Sequence, residues 1–149
     1  MAVTGRGRWS VGVREGARGV GGSVRRVEVA GRAGPAVAWE RYADLAAWPT
    51  WAPQISDVEA DGRRLAVGRR GTVHVVGGLR VPFVVTAVDH ELRTWSWIAR
   101  LGPVTVTLHH DLAPSADGTV AGLVLEGPTL VVATYGPLTR LPLARLVRA

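Results

Sequence analysis

Residues 93–112 read RTWSWIARLGPVTVTLHHDL, and this stretch indicates the kind of sheet that the chain forms. Polar and apolar side chains alternate through Thr94-Trp95-Ser96-Trp97 and again in the run VTVTL that starts at Val104. A period of two predicts half-buried strands at Arg93–Arg100 and Val104–Leu112, each with one apolar and one polar face. A short turn sequence with glycine and proline separates them, so we predict an antiparallel hairpin.

Four further segments downstream of residue 54 have strand-like patterns. These predicted strands are Ile55–Ala60, Gly71–Val76, Arg80–Val88 and Thr119–Glu126. Asp61-Gly62, Gly77-Gly78 and Asp117-Gly118 are strong short-loop signals. The six strands together therefore predict an antiparallel meander.

The segment before this meander predicts one strand and then helical structure. Val24–Ala30 alternates as a short strand. Pro35 suits the first position of a helix, where its missing N–H costs nothing. Apolar residues then recur at helical spacing from Ala36 to Ala47. The following WPTWAP segment, 48–53, forms an aromatic-rich corner, and we expect its two prolines, Pro49 and Pro53, to end helical structure.

The last segment, Pro128 to Ala149, returns to helical spacing. The predicted apolar stripe runs through Leu130, Ala133 and Thr134 and then, less regularly, through Leu138, Leu141, Arg145 and Leu146. Gly136-Pro137 and Pro142 predict a kink or a break. We expect a strongly curved antiparallel sheet to wrap around this helix, which covers it only partly and leaves a cavity between the two layers.

The composition excludes several classes of chemistry. All 18 basic residues are arginines, and the chain has no cysteine. Without lysine there is no P-loop lysine and no Schiff base, and without cysteine there is no thiol nucleophile, disulfide or thiolate metal site. The apolar fraction of 47% is typical of a globular domain. No apolar run approaches the roughly 20 residues that span a bilayer, so we expect no stable membrane insertion.

The positive charge is concentrated at the start of the chain. Residues 1–26 carry +5 of the net charge of +6, so the remainder is nearly neutral and we expect no nucleic-acid partner. We interpret residues 1–23 as a disordered Gly/Arg-rich extension and residues 24–149 as one ligand-binding domain. The extension is either a flexible segment without a role of its own or, alternatively, a segment that acts at an RNA or membrane surface. No apolar segment follows Arg25-Arg26, as an export signal requires, so the expected location is cytoplasmic.

The four histidines do not predict a metal site, and we expect no cofactor. His109 and His110 are adjacent on a strand and therefore point to opposite faces, while His74 and His90 have no carboxylate at a ligand spacing. Alternation places His110 with Val106 and Leu108, toward the cavity. His110 is therefore the candidate catalytic acid or base, or alternatively a buried structural histidine.

Aromatic side chains supply most of the candidate ligand contacts. Trp95 and Trp97 share one face of their strand, where they form either the wall of a cavity for a flat ligand or plain core packing. A second aromatic group clusters around the corner and consists of Trp39, Tyr42, Trp48 and Trp51. It forms either a pocket rim, with Trp51 the best candidate, or a hydrophobic cluster that closes the corner. The Tyr135 hydroxyl could orient a ligand from the last helix. The predicted ligand-binding residues are Trp39, Trp51, His74, Phe83, Trp95, Trp97 and Tyr135.

The string WERYADLAAWPTW, residues 39–51, resembles the start of the polyketide cyclase/START-like (SRPBCC) superfamily with the helix-grip fold. Val67-Gly68-Arg69-Arg70-Gly71, Trp95-Ser96-Trp97, His109-His110 and Gly127-Pro128 fit the same pattern, so the resemblance covers roughly residues 25–149. It implies an α+β helix-grip fold: a curved antiparallel β-sheet wrapped around a C-terminal α-helix, with two short helices after the first strand. It also implies an apolar cavity for a hydrophobic small molecule. Members usually end in a longer helix, so the resemblance implies a less completely covered cavity here.

Two functions fit these observations. The first is a binding or carrier protein for a hydrophobic small molecule, because few ionisable residues point inward. The alternative is a cyclase or aromatase that folds a poly-β-ketone chain, with much of the rate gain coming from positioning. An interaction module without a ligand is a third possibility if Trp95 and Trp97 fill the interior. The sequence does not indicate an oligomeric state.

Overall fold

The computed structural model describes residues 22–149, which form a seven-stranded antiparallel sheet with helices packed on one face. The strands are β1 Gly22–Gly31, β2 Ile55–Ala60, β3 Arg70–Val75, β4 Leu79–Asp89, β5 Thr94–Leu101, β6 Val104–Ser115 and β7 Gly118–Pro128. Their spatial order is β1-β7-β6-β5-β4-β3-β2, so the first strand closes the meander at the far edge. The predicted curved antiparallel sheet is confirmed.

The strand bounds follow the sequence pattern closely. The predicted strand at Ile55–Ala60 matches β2 at both ends, and the other predicted strands from residue 55 onward differ from the observed ones by at most three residues at either end. β1 begins at Gly22, two residues before its predicted start. Residues 1–21, which make up most of the predicted extension, lie outside the described residues.

Two short helices follow β1, as predicted. They are α1 Pro35–Ala43 and α2 Trp48–Trp51, with a 3₁₀ turn at Leu45–Ala47 between them. Pro35 occupies the first turn of α1, and Pro53 lies beyond the end of α2. The prediction that Pro49 ends helical structure is wrong, because Pro49 lies in the first turn of α2. A proline there loses no intrahelical hydrogen bond.

The C-terminal segment forms two helices, α3 Thr129–Leu138 and α4 Arg140–Leu146. The predicted break lies at Thr139, whose N–H donates to the Gly136 carbonyl at 3.2 Å. Pro142 has no N–H to donate to the carbonyl of Leu138 and its ring crowds that carbonyl, which accounts for the break after Leu138. Pro142 lies in the first turn of α4, where a proline is tolerated.

The predicted apolar stripe of this segment is largely on the wrong face. Leu130 and Leu138 are 75% and 66% exposed, whereas Val132 and Leu143 are buried. Gly136 shows the reason: a Cβ at this position would lie 2.7 Å from Cδ of Arg25, so this face of α3 packs against β1. That close approach sets the rotation of α3, and helical spacing alone does not encode it.

The aromatic corner is fixed by hydrogen bonds from indole groups to backbone carbonyls. Trp48 Nε1 donates to the Tyr42 carbonyl at 2.9 Å, and Trp51 Nε1 donates to the Arg41 carbonyl at 3.0 Å. The guanidinium of Arg41 in turn donates to the carbonyl of Leu146 at 2.6 Å, which ties α1 to the end of α4. These contacts hold α2 over the sheet.

The outer face of the sheet carries a partly buried ion pair. Arg26 on β1 donates to both carboxylate oxygens of Asp111 on β6, at 2.9 and 3.1 Å. The side chain of Asp111 is 3% exposed, and that of Arg26 is 30% exposed. Gly122 on the intervening strand β7 leaves space for this pair, because a Cβ there would lie 2.5 Å from Asp111 Oδ1.

No helix within residues 22–149 combines the length and the apolarity that crossing a bilayer requires.

Candidate functional site

A cavity of about 290 Å³ lies between the inner face of the sheet and helices α2, α3 and α4. Its lining residues on the strands are Ile55, Val73, Val75, Leu79, Val81, Trp95, Trp97, Ala99, Leu101, Val106, Leu108, His110 and Leu123. Those on the helices and their flanks are Trp48, Trp51, Ala52, Gln54, Val131, Tyr135, Thr139, Pro142 and Leu143. No aspartate, glutamate or arginine of the described chain belongs to this lining.

The exposure of the lining residues locates the mouth and the closed end. Leu79 and Tyr135 are 51% and 37% exposed, so the cavity opens between the start of β4 and the middle of α3. Trp48, Trp95 and Leu143 are each 1% exposed and mark the closed end. An apolar volume that opens to solvent is the arrangement that receives a small molecule.

Four of the seven predicted ligand-binding residues line the cavity: Trp51, Trp95, Trp97 and Tyr135. His110, the candidate catalytic residue, lines it as well. Alternation placed three of these five correctly, because inner and outer side chains exchange at every residue of a strand.

The other three predicted residues do not line the cavity. His74 lies between the lining residues Val73 and Val75 and so points to the opposite face, where its Nε2 is 3.4 Å from Glu59. Phe83 is buried behind the wall, with its ring 5.8 Å from that of Trp48. Trp39 lies on α1 and packs against Tyr42 and His90, outside the lining.

The indole of Trp39 makes its own local contacts. Its Nε1 donates to His90 Nδ1 at 3.2 Å, and its ring meets that of Tyr42 edge to face at 6.4 Å. Trp39 therefore connects α1 to His90 and lies outside the lining of the cavity.

An aromatic wall closes one end of the cavity. Trp95 and Trp97 are stacked with ring centroids 5.7 Å apart, and Trp48 packs against both at 5.5 Å. The imidazole of His110 lies nearly parallel to Trp95 at 4.3 Å. These rings leave the cavity unfilled, so the possibility that the tryptophans occupy the whole interior is excluded.

Both ring nitrogens of His110 are hydrogen-bonded within the protein. Trp97 Nε1 donates to His110 Nε2 at 3.0 Å, and His110 Nδ1 lies 3.1 Å from the Tyr42 hydroxyl. An indole N–H only donates, so Nε2 carries no proton and Nδ1–H donates to Tyr42. Burial lowers the pKa of His110 to about 3, with a smaller effect from His109. The imidazole is therefore held neutral.

A second histidine lies on the outer face with a serine and a carboxylate. Ser96 Oγ is 2.7 Å from His109 Nδ1, and His109 Nε2 is 3.3 Å from Glu126 Oε2. The order of these groups is that of a hydrolytic triad, but Ser96 is only 3% exposed and lies in the flat ladder of the sheet. A substrate cannot reach the Ser96 oxygen, so this cluster does not form part of the candidate site.

Sequence reasoning missed two polar residues of the lining, Gln54 and Thr139. Both lie between regular elements, where no periodicity indicates a direction. Alternation places Val106 and Leu108 inward, as the structure has them, and the same pattern could have identified Val73 and Val75. Within residues 22–149, no three His, Asp or Glu side chains are grouped so that they could hold a metal ion.

Several solved structures share this fold at low sequence identity. Ara h 8.0201 matches with a TM-score of 0.70 and 14% identity, over 85% of this chain and 95% of that one. Protein MLL2253 from Mesorhizobium loti matches with a TM-score of 0.65 and 18% identity, over 80% and 94% of the two chains. Norcoclaurine synthase from Thalictrum flavum, solved in complex with dopamine and hydroxybenzaldehyde, matches with a TM-score of 0.63 and 18% identity, over 84% of each chain.

No curated protein matches the chain. The family model described as polyketide cyclase / dehydrase and lipid transport matches residues 23–149. This match covers all seven strands and all the helices apart from the first residue of β1. The chain therefore belongs to the polyketide cyclase / dehydrase and lipid transport family.

Proposed function

We propose that this protein binds a hydrophobic small molecule in the cavity between sheet and C-terminal helices, as a START-like binding or carrier protein. The observation that supports this proposal is the lining of the cavity. Among the described residues, His110 is the only lining group with an ordinary pKa near neutrality, and both of its nitrogens are already bonded. Burial of apolar surface is then the main source of affinity.

The size of the cavity sets the scale of the expected affinity. A two-ring aromatic molecule that buries about 300 Å² of apolar surface gains on the order of 7 kcal/mol from burial. Association costs at least about 4 kcal/mol of this, and stacking on tryptophan returns about 1 kcal/mol per ring pair. We therefore expect sub-millimolar dissociation constants for such probes.

Small aromatic molecules are the first ligands to test. Trp48, Trp95 and Trp97 offer ring faces and edges at the closed end. The structurally similar norcoclaurine synthase was solved with dopamine and hydroxybenzaldehyde, two molecules of this size class. That structural similarity supports the choice of small aromatic molecules as probes.

The cyclase hypothesis requires a group that transfers protons at neutral pH. His110 is held neutral between Trp97 and Tyr42, and its low pKa disfavours the protonated form that a general acid needs. This geometry favours the carrier over the enzyme, and it makes His110 part of the cavity wall. Incubating the protein with a poly-β-ketone thioester and measuring cyclised product by mass spectrometry tests the alternative directly.

Tryptophan fluorescence tests the carrier proposal, because four of the six tryptophans line the cavity. Titration with naphthalene should give saturable quenching, with a dissociation constant below about 1 mM by the estimate above. Saturable binding without product from the poly-β-ketone supports the carrier. Product formation that is lost in His110→Gln would replace the carrier by the enzyme, and quenching that never saturates would overturn the carrier proposal.

The cytoplasmic location expected from the sequence is part of the same proposal. Fractionation of cells that express the tagged protein tests it, and recovery outside the cytoplasm would contradict it.

A further inference from the structure

The polar groups that line the cavity are almost all engaged by the protein itself. Thr139 Oγ1 donates to the Gly136 carbonyl at 2.5 Å. Both nitrogens of His110 are bonded, and one of those bonds uses the indole N–H of Trp97. The indole N–H groups of Trp48 and Trp51 donate to backbone carbonyls. None of these groups is left to bind a ligand.

The indole N–H of Trp95 has no hydrogen-bond acceptor among the described residues. Its nitrogen has almost no accessible surface, so neighbouring atoms cover it and it does not face the open volume. A ligand in the cavity as it stands cannot reach this atom.

Gln54 and Tyr135 differ from the other polar residues of the lining. Gln54 Nε2 donates to the Tyr135 hydroxyl at 3.3 Å, which is a long hydrogen bond. The phenol proton, the second amide N–H and the amide oxygen remain outside this bond. This pair is therefore the part of the lining with unused donors and acceptors.

The pair lies at the mouth and rests on two separate elements. Tyr135 is in the middle of α3, and the backbone carbonyl of Gln54 accepts from the N–H of Val76 at 2.9 Å, at the end of β3. The closed end behind them is aromatic and aliphatic. A ligand that fills this space needs an apolar body inside and meets hydrogen-bonding groups only at its outer end.

We propose that Gln54 and Tyr135 form a polar subsite that recognises a hydroxyl or carbonyl oxygen at one end of an otherwise apolar, uncharged ligand. This inference rests on the proposed function and specifies its ligand class. The phenol of Tyr135 donates to the ligand oxygen, and the Gln54 amide either donates to a carbonyl or accepts from a hydroxyl. A carboxylate is disfavoured at this subsite because no arginine of the described lining would compensate its charge.

Three matched probes test the subsite in tryptophan fluorescence titrations: 2-naphthol, naphthalene and 2-naphthoate. Tyr135→Phe should weaken 2-naphthol about three- to tenfold, which is the worth of one neutral hydrogen bond, and should leave naphthalene within twofold. Gln54→Met should have the same pattern. The carboxylate 2-naphthoate should bind the wild-type protein at least about tenfold more weakly than 2-naphthol.

Thr134→Val is the matched control, because it removes a hydroxyl one residue away on α3. The Thr134 hydroxyl bonds to the Leu130 carbonyl at 2.8 Å, and Thr134 is not a lining residue. This variant should bind both neutral probes like the wild-type protein.

The outcomes separate the two proposals. If naphthalene and 2-naphthol both bind but Tyr135→Phe and Gln54→Met change the two affinities equally or not at all, the subsite is wrong and the carrier stands. Tighter binding of 2-naphthoate than of 2-naphthol would also overturn the subsite. If no probe binds the wild-type protein, both proposals are overturned.

Discussion

The hydroxyl of Tyr42 lies 3.1 Å from Nδ1 of His110, and this hydrogen bond joins α1 to β6 behind the wall of the cavity. Tyr42 has no exposed surface, and His110 is 5% exposed. With Trp97 bonded to the other nitrogen, the imidazole has one fixed tautomer and one fixed orientation. The network aligns the ring of His110 with that of Trp95 and so shapes the aromatic end of the cavity.

Tyr42→Phe tests the energetic weight of this bond. The substitution leaves the Nδ1–H of His110 buried without an acceptor, which costs about 1–3 kcal/mol in the free energy of unfolding. Urea denaturation at neutral pH measures the difference. Tyr135→Phe is the control, because the Tyr135 hydroxyl lies at the open mouth, and it should cost no more than about 0.5 kcal/mol. Equal losses in the two variants would contradict the assigned network.

The pH dependence of stability should carry the signature of His110. Its pKa falls from the ordinary value of 6.5 to about 3 on folding, so between these values the unfolded chain binds more protons. The contribution of His110 to the free energy of unfolding therefore has its full value above pH 6.5 and declines as the pH falls toward 3. Between pH 7 and pH 5, His110 alone should lower the free energy of unfolding by about 2 kcal/mol.

Comparing wild-type protein with His110→Gln isolates this contribution, since the other titrating groups are common to both. The variant is less stable at pH 7, but its free energy of unfolding should fall less between pH 7 and pH 5, by about 2 kcal/mol. In the wild-type protein, the NMR signal of the His110 ring should not titrate between pH 7 and pH 5. A midpoint near 6.5 for that signal would refute the prediction.

Filling the cavity should remove binding without unfolding the protein. Ala99 on β5 is a lining residue, and Ala99→Leu directs a larger side chain into open volume rather than into packed atoms. We expect naphthalene affinity to fall at least tenfold, by about 1.4 kcal/mol or more. The free energy of unfolding should change by less than about 1 kcal/mol.

Ala113→Leu is the control for the cavity variant, because Ala113 is an exposed residue of the neighbouring strand β6. It should bind naphthalene like the wild-type protein. Unchanged affinity in Ala99→Leu would place the ligand elsewhere.

Gly122→Ala should destabilise the protein through the outer face of the sheet. The added Cβ would lie 2.5 Å from Asp111 Oδ1 and would also contact the guanidinium of Arg26, so the ion pair must separate. Asp111 is buried and loses its partner, but Arg26 is partly exposed. We expect a loss of about 1–3 kcal/mol in the free energy of unfolding, smaller than for a fully buried pair.

Gly127→Ala is the matched control on the same strand. A Cβ at Gly127 would meet its nearest atom, the Thr105 carbonyl oxygen, at 3.4 Å, which is an ordinary contact. Urea denaturation should show little change for this variant. If both alanines cost the same, the loss does not come from separating the Arg26–Asp111 pair, because strand propensity alone would favour alanine over glycine.

The sheet was predictable because alternation is a local property. In a strand with one buried and one exposed face, every second side chain points inward. Trp95, Trp97, Leu108 and His110 follow this pattern. The start of α1, the end of α2 and the break in the last segment were also signalled, by proline at residues 35, 53 and 142.

Local sequence patterns were therefore enough for the order of the elements, the inner faces of β5 and β6 and the absence of lysine and cysteine chemistry. Three features depend instead on how the folded chain packs: which face of α3 turns inward, the position of Phe83 behind the wall, and the contact of Gln54 with Tyr135 at the mouth. Local patterns do not encode these features, because they arise between residues that are distant along the chain. Contacts such as Arg25 with Gly136, or Tyr42 with His110, join residues far apart in sequence, and their geometry follows from how curved sheet and helices pack.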